Sequence, residues 1–183
     1  GQTVGVSVDL ALGLAADGLG GTDTLVNIVG VRSTSLADTL LGSASNDRFR
    51  DVGGDDFIDG RGGNGDIIDY QSVSGSVTVD LGAGTATGSA GNDTLLGIED
   101  ARGGSAGDVL RGGAGNNVLR GAGGQQGFVG GGGIVHAWFV FRMSSRARAA
   151  ACSAARREGP KPRCDWRSWG TSQATSKIWR CAA

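Results

Sequence analysis

An aspartate recurs every nine residues through the middle of this chain, and a large apolar residue follows each one two places later. Asp38, Asp47 and Asp56 keep the spacing strictly, and Asp66 comes after ten, with Gly65 as the extra residue. Their apolar followers are Leu40, Phe49, Ile58 and Ile68. No helix accommodates this beat, because a turn of 3.6 residues scatters such positions around the cylinder. A six-residue turn followed by a three-residue strand does accommodate it, with one dominant apolar side chain buried per strand. Glycines gather before each Asp, as at Gly53-Gly54, Gly62-Gly63 and Gly112-Gly113, where a tight turn calls for φ above zero. Two units make one coil, with strands on opposite sides of a thin sandwich.

A longer repeat encloses the short one. Residues 8–54 recur about 70 positions later: Asp23 aligns with Asp93, Ile28 with Ile98, Asp38 with Asp108 and Leu40 with Leu110. The second copy keeps the beat as Asp108, Asn117 and Gln126, followed by Leu110, Leu119 and Phe128. Composition divides the chain near Gly133. Residues 1–133 hold 34 of the 36 glycines and 16 acidic residues against 7 Arg and no Lys, a net charge of −9. Residues 134–183 carry a net charge of +8 and hold all three Cys, all four Trp and the single His. Glycine without a three-residue period excludes collagen. The longest apolar stretch, about eight residues around Ile134–Phe141, is far short of a membrane-spanning helix. Three Cys without CxxC spacing support neither a disulfide framework nor a zinc site. A start at Gly1 without a leader pattern reads as a fragment or a processed piece.

The units GSASNDRFR (42–50), DVGGDDFID (51–59), GRGGNGDIID (60–69), GGSAGDVLR (103–111) and GGAGNNVLR (112–120) carry a resemblance. They resemble the hemolysin-type calcium-binding repeat, the RTX nonapeptide G-G-x-G-x-D-x-(apolar)-x. Residues 6–28 and 76–100 resemble the segments that flank nonapeptide runs in that family. The resemblance implies an all-β fold, a right-handed parallel β-roll over residues 1–133, with 134–183 a poorly structured tail. It also implies Ca2+ between successive coils, held by the motif Asp and by turn carbonyls, here those of Gly53, Gly54, Gly62 and Gly63. Same-side partners then lie two units apart, so Asp38 with Asp56 and Asp47 with Asp66 are the foremost candidate sites. Asp23, Asp93 and Asp108 occupy matching positions, whereas Asn117 and Gln126 predict weak binding at that end. The chemistry agrees: one buried side chain per nine ordered residues is a thin core, stacked aspartates repel, and a calcium ion accepts six to eight oxygen ligands at flexible angles.

Other readings account for less of the pattern. A flexible Asp/Gly linker accounts for the composition but not for the apolar residue two places after each Asp. Asp9, Asp17 and Asp80 read as solvated groups; Asp51, Asp55, Asp59 and Asp69 fall outside the motif position and read as exposed charges, and Glu99 as a strand end. Ser105 in GGSAG and the glycines of GRGGNG match a nucleophile elbow and a dinucleotide loop, yet no helical pattern follows either. The tail resembles translation in a shifted reading frame, and its positive residues form no stripe suited to nucleic acid. The expected function is therefore calcium binding coupled to folding, in a secreted, extracellular, non-enzymatic module without a transmembrane segment. The alternatives are the C-terminal piece of a larger RTX protease, lipase, epimerase or cytolysin whose catalytic domain lies upstream, or an adhesin spacer.

Overall fold

The computed structural model describes residues 3–138, together with the backbone of two later strands at 163–169 and 176–182. The first unit contributes β1 (Ser7–Asp9), β2 (Leu14–Ala16), β3 (Thr22–Thr24), β4 (Gly30–Arg32), β5 (Thr39–Leu41), β6 (Arg48–Arg50), β7 (Phe57–Asp59) and β8 (Ile67–Asp69). The second contributes β9 (Val77–Asp80), β10 (Thr85–Gly88), β11 (Gly91–Leu96), β12 (Asp100–Arg102), β13 (Val109–Arg111), β14 (Asn117–Arg120), β15 (Gly127–Val129) and β16 (Val135–Trp138). The described residues contain strands, turns and bends but no helix.

From β4 to β8, and again from β11 to β16, consecutive strands alternate between two sheets. One sheet has six strands in the order β16-β14-β12-β8-β6-β4, and all its pairings are parallel. The other has ten, in the order β15-β13-β9-β10-β11-β7-β5-β1-β2-β3. Thr39 stands opposite Phe57, and Arg48 opposite Ile67, so a coil spans 18 residues, or 19 where Gly65 is inserted. This is a parallel stack of the β-solenoid or roll type. In the nonapeptide strands the middle apolar residue points inward. Leu40, Phe49, Ile58, Ile68, Leu110 and Leu119 are all fully buried, and cross-strand register stacks them into two facing apolar columns.

One feature departs from a wholly parallel roll, and another from the expected boundary at 133. In the ten-stranded sheet β2 and β10 run antiparallel to their neighbours. They belong to the segments where the nonapeptide beat lapses, and each follows a hairpin whose glycine, Gly13 or Gly84, sits at φ +68. The second departure concerns the boundary at 133. Strand β16 lies beyond it and pairs in parallel with β14, so the stack continues into the segment expected to be a tail. Further on, β17 (Arg163–Trp169) pairs antiparallel with β18 (Ser176–Ala182). The remainder of that segment lies outside the described residues.

Candidate metal centre

The motif aspartates are interior groups. Asp38, Asp47, Asp56, Asp66, Asp93 and Asp108 are all buried. The Thr34 and Ser43 N–H groups donate to Asp38 and Asp47 at 2.6 Å, and Gly113 donates to Asn117 at 2.9 Å, each from four residues upstream. A second series of bonds joins neighbouring coils. The Asp38 N–H donates to Asp56 (2.9 Å), Asp47 to Asp66 (2.6 Å) and Asp56 to Asp93 (3.1 Å). The pairs expected from the two-unit spacing are thus adjacent, linked from main chain to carboxylate. Val77 donates to Asp108 (3.0 Å), and Glu99, read as a strand end, accepts from the Asp66 N–H (3.0 Å). Asp23 is placed otherwise: it lies exposed on β3 opposite Ala15.

Glycine keeps these surroundings open. Gly53 (φ +135), Gly54 (φ +116) and Gly63 (φ +135) hold backbone conformations strained for any side chain, whereas Gly62 does not. A Cβ at Gly54 would overlap the Leu36 carbonyl oxygen and lie 2.9 Å from Asp56 Oδ1. At Gly63 it would lie 2.9 Å from Asp66 Oδ2 and 3.0 Å from the Ser45 carbonyl oxygen.

Three carboxylates converge at the joint between the two units. Asp51, Asp56 and Asp93 are buried and offer oxygens within 4.8 Å of one another, a group that can hold a metal ion. Asp51 Oδ1 accepts from the Ser33 hydroxyl (2.8 Å) and the Gly53 N–H (2.9 Å), and the buried Tyr70 hydroxyl donates to Asp93 Oδ2 (2.7 Å). Asp51 Oδ2 and Asp56 Oδ2 have no partner, nor do Asp47 Oδ1, Asp66 Oδ2 and Asp108 Oδ2. Buried acceptors left in this way carry a desolvation cost that a cation would remove. The electrostatics agree. Burial pushes the Asp56 carboxyl up to about 8, with the neighbouring Asp51 charge adding to the effect. Burial also lifts Asp66 to about 6, reinforced by Glu99, and Asp93 to about 6 against the opposing Tyr70 hydrogen bond.

Two of the aspartates read as exposed charges are buried instead. Asp51 completes the three-carboxylate group, and Asp69 is held by the Arg48 guanidinium beside Arg50, its cross-strand neighbour. Asp55 is exposed and Asp59 partly so. A sequence signal for Asp51 exists, since it begins its unit where Gly42, Gly60, Gly103 and Gly112 begin theirs. Tyr70, the chain's single tyrosine, has the same kind of position after β8. Ser105 lies exposed in the turn between β12 and β13, with its hydroxyl directed to the Ser74 carbonyl (3.5 Å), and GRGGNG forms the turn between β7 and β8. Compared with known families and with curated proteins, the chain matches none.

Proposed function

We propose that this chain is a calcium-binding repeat module of the hemolysin type, a right-handed roll that the ion orders in a calcium-rich extracellular setting. One observation carries the reading. In the second unit, where Asn117 and Gln126 replace the motif Asp, their amide N–H groups donate to main-chain carbonyls. Asn117 Nδ2 donates to the Glu99 carbonyl (2.6 Å), and Gln126 Nε2 to those of Ala106 (2.8 Å) and Gly123. By the 70-residue offset the Leu36 and Gly53 carbonyls correspond to those of Ala106 and Gly123, and a Cβ at Gly54 would lie within 3 Å of both the Leu36 carbonyl oxygen and Asp56 Oδ1. At the first unit's positions, Asp47 Oδ1 and Asp56 Oδ2 lack a hydrogen-bond partner. Buried carboxylate oxygens beside turn carbonyls are stabilised by a proton or, once ionised, by a cation between them.

Calcium suits this set better than magnesium. Carboxylates mixed with turn carbonyls form an irregular oxygen shell, whereas magnesium holds to octahedral geometry and keeps its waters. The role is structural: the ion would tie each coil to the next, and no catalytic group is assigned. Titration of calcium into the metal-free full chain, followed by far-ultraviolet circular dichroism and by calorimetry, tests the reading. The expected result is a gain of strand signal with binding in the range of about 10⁻⁴–10⁻³ M that extracellular modules use, and no comparable response to magnesium. Identical spectra in chelator and in millimolar calcium, without heat of binding, would overturn it.

A further inference from the structure

The outer face of the six-stranded sheet carries charge of the opposite sign to the rest of the stack. Residues 1–133 bear a net charge of −9, yet five of their seven arginines stand on this face. Cross-strand register sets them in a row with one aspartate. Arg32 is opposite Arg50, Arg50 opposite Asp69, Asp69 opposite Arg102, and Arg102 opposite Arg120. Strands lie about 4.8 Å apart, so the row runs for roughly 20 Å along the stacking axis. Arg48 flanks it on β6, and Asp100 flanks it on β12, where it accepts from the Val118 N–H (2.8 Å).

Nothing in the coil itself calls for this arrangement. Like charges directly opposite one another weaken a sheet, and here Arg32 faces Arg50 while Arg102 faces Arg120. The two units agree in these arginines where they differ at the motif position. By the 70-residue offset Arg102 repeats Arg32 and Arg120 repeats Arg50, whereas Asn117 and Gln126 replace Asp47 and Asp56. The row is thus kept where the candidate metal ligands are not. Asp69 fixes its centre. That side chain is fully buried: Oδ2 accepts from Arg48 Nε (2.9 Å) and Nη2 and lies 3.8 Å from Arg50 Nε. Asp69 Oδ1 accepts from the Gln71 N–H (2.9 Å). The two arginine side chains remain 43% and 39% exposed. Among the described residues, Arg32 and Arg102 have no ion-pair partner. At the β4 end, Gly30, Val31, Arg32, Arg48 and Arg50 line a cleft of about 190 Å³.

We infer that this face binds a linear acidic polysaccharide, with one carboxylate per sugar ring, laid along the stacking axis. A guanidinium fork matches a planar carboxylate through two parallel hydrogen bonds, and one charge per ring suits one arginine per strand. Other occupants fit less well. Duplex DNA presents a charge about every 1.7 Å of its axis, and β4, β6, β8 and β12 turn no aromatic side chain outward for base stacking. An extended acidic peptide repeats its same-face side chains about 6.6 Å apart, out of step with the strands. A second copy offers Asp9, Asp59 and Asp80 on its ten-stranded sheet, but each is engaged in its own chain. Asp9 accepts from the Arg61 guanidinium and the Leu12 N–H, Asp59 from the Arg61 N–H, and Asp80 from the Ala83 N–H. Residues 134–183, with a net charge of +8, share the sign of this face.

Calorimetric titration of hexagalacturonate into the full chain at low salt tests this, in a buffer where circular dichroism shows the strands formed. Binding should be present, weaken as salt rises, and be absent for the neutral maltohexaose. Arg32→Ala and Arg102→Ala change side chains not bonded to Asp69. Each should weaken binding roughly two- to fivefold, and the double variant about tenfold. Arg111→Ala, on β13 of the other sheet, should leave the affinity unchanged. Failure of the hexamer to bind, or full affinity in the folded double variant, would overturn the inference. So would tighter binding of duplex DNA or of phosphatidylserine vesicles, or a wild-type dimer in sedimentation velocity that the double variant abolishes.

Discussion

Asp56 and Gln126 hold the same position in the two units, but Gln126 donates to two main-chain carbonyls whereas Asp56 Oδ2 has no hydrogen-bond partner. The amides of the second unit stand where the first unit has carboxylates. Asp56→Gln and Asp47→Asn should therefore transfer the solution. In chelator, each should raise the unfolding free energy by about 1–3 kcal/mol, the cost of an unsatisfied buried acceptor, and each should weaken the calcium response. Urea titrations with and without calcium measure both effects, and a loss of metal-free stability in both variants would contradict the assignment.

Tyr70 serves the same group by another route. Its hydroxyl satisfies Asp93 Oδ2 at the joint, and burial beside Asp93 holds its own ionisation well above the usual value, so it stays a donor. Tyr70→Phe removes that proton while keeping the ring. Stability in chelator should fall by about 1–3 kcal/mol. The loss should shrink in saturating calcium, when the cation takes the freed oxygen. Thermal unfolding in the two conditions separates these outcomes.

The metal-free protein should be more stable in mild acid than in mild base. Asp56, raised to about 8, and Asp66 and Asp93, raised to about 6, hold protons in the folded state that the unfolded chain releases near pH 4. Folded protein thus binds more protons than unfolded between those values, and stability falls as pH rises through them. Each such group contributes up to about 1.4 kcal/mol per pH unit. A cation bound by these carboxylates would displace the protons, so calcium affinity should climb with pH over the same window. Melting temperatures at pH 5 and pH 8, in chelator and in calcium, test the sign.

Position within a three-residue strand should decide the cost of losing an aromatic ring. Phe49 is central in β6 and fully buried, whereas Phe57 begins β7 with its side chain turned outward, 39% exposed. Phe49→Ala should cost about 3–5 kcal/mol. Phe57→Ala, away from the core, should cost about 0.5 kcal/mol or less. Equal costs would mean that the inward face has been misassigned.

The beat of nine was enough to place the strands because a three-residue strand has only one inward position, and that position must be apolar. Leu40, Phe49, Ile58 and Ile68 follow from that constraint alone. The site was legible in part. Motif spacing located Asp38, Asp47, Asp56 and Asp66 but could not show that Asp93 reaches Asp56, since β9 and β10 separate β8 from β11 along the chain while β11 folds back beside β7. Nor did spacing reveal Asp51, whose burial arises from the coils above and below it. Asp23 shares the motif position yet lies exposed, because no strand stands beyond β3 to cover it.

Local chemistry, then, determined the coil. Glycine turns, alternating side-chain direction and a single apolar residue per unit are properties of nine residues at a time, so they can be read one unit at a time. Tertiary structure alone decided which carboxylates meet, which oxygens lose their water without gaining a donor, and which edges remain open. Those outcomes depend on residues 18 to 40 positions apart being pressed together by stacking, and desolvation is a property of the assembled neighbourhood, not of any unit within it.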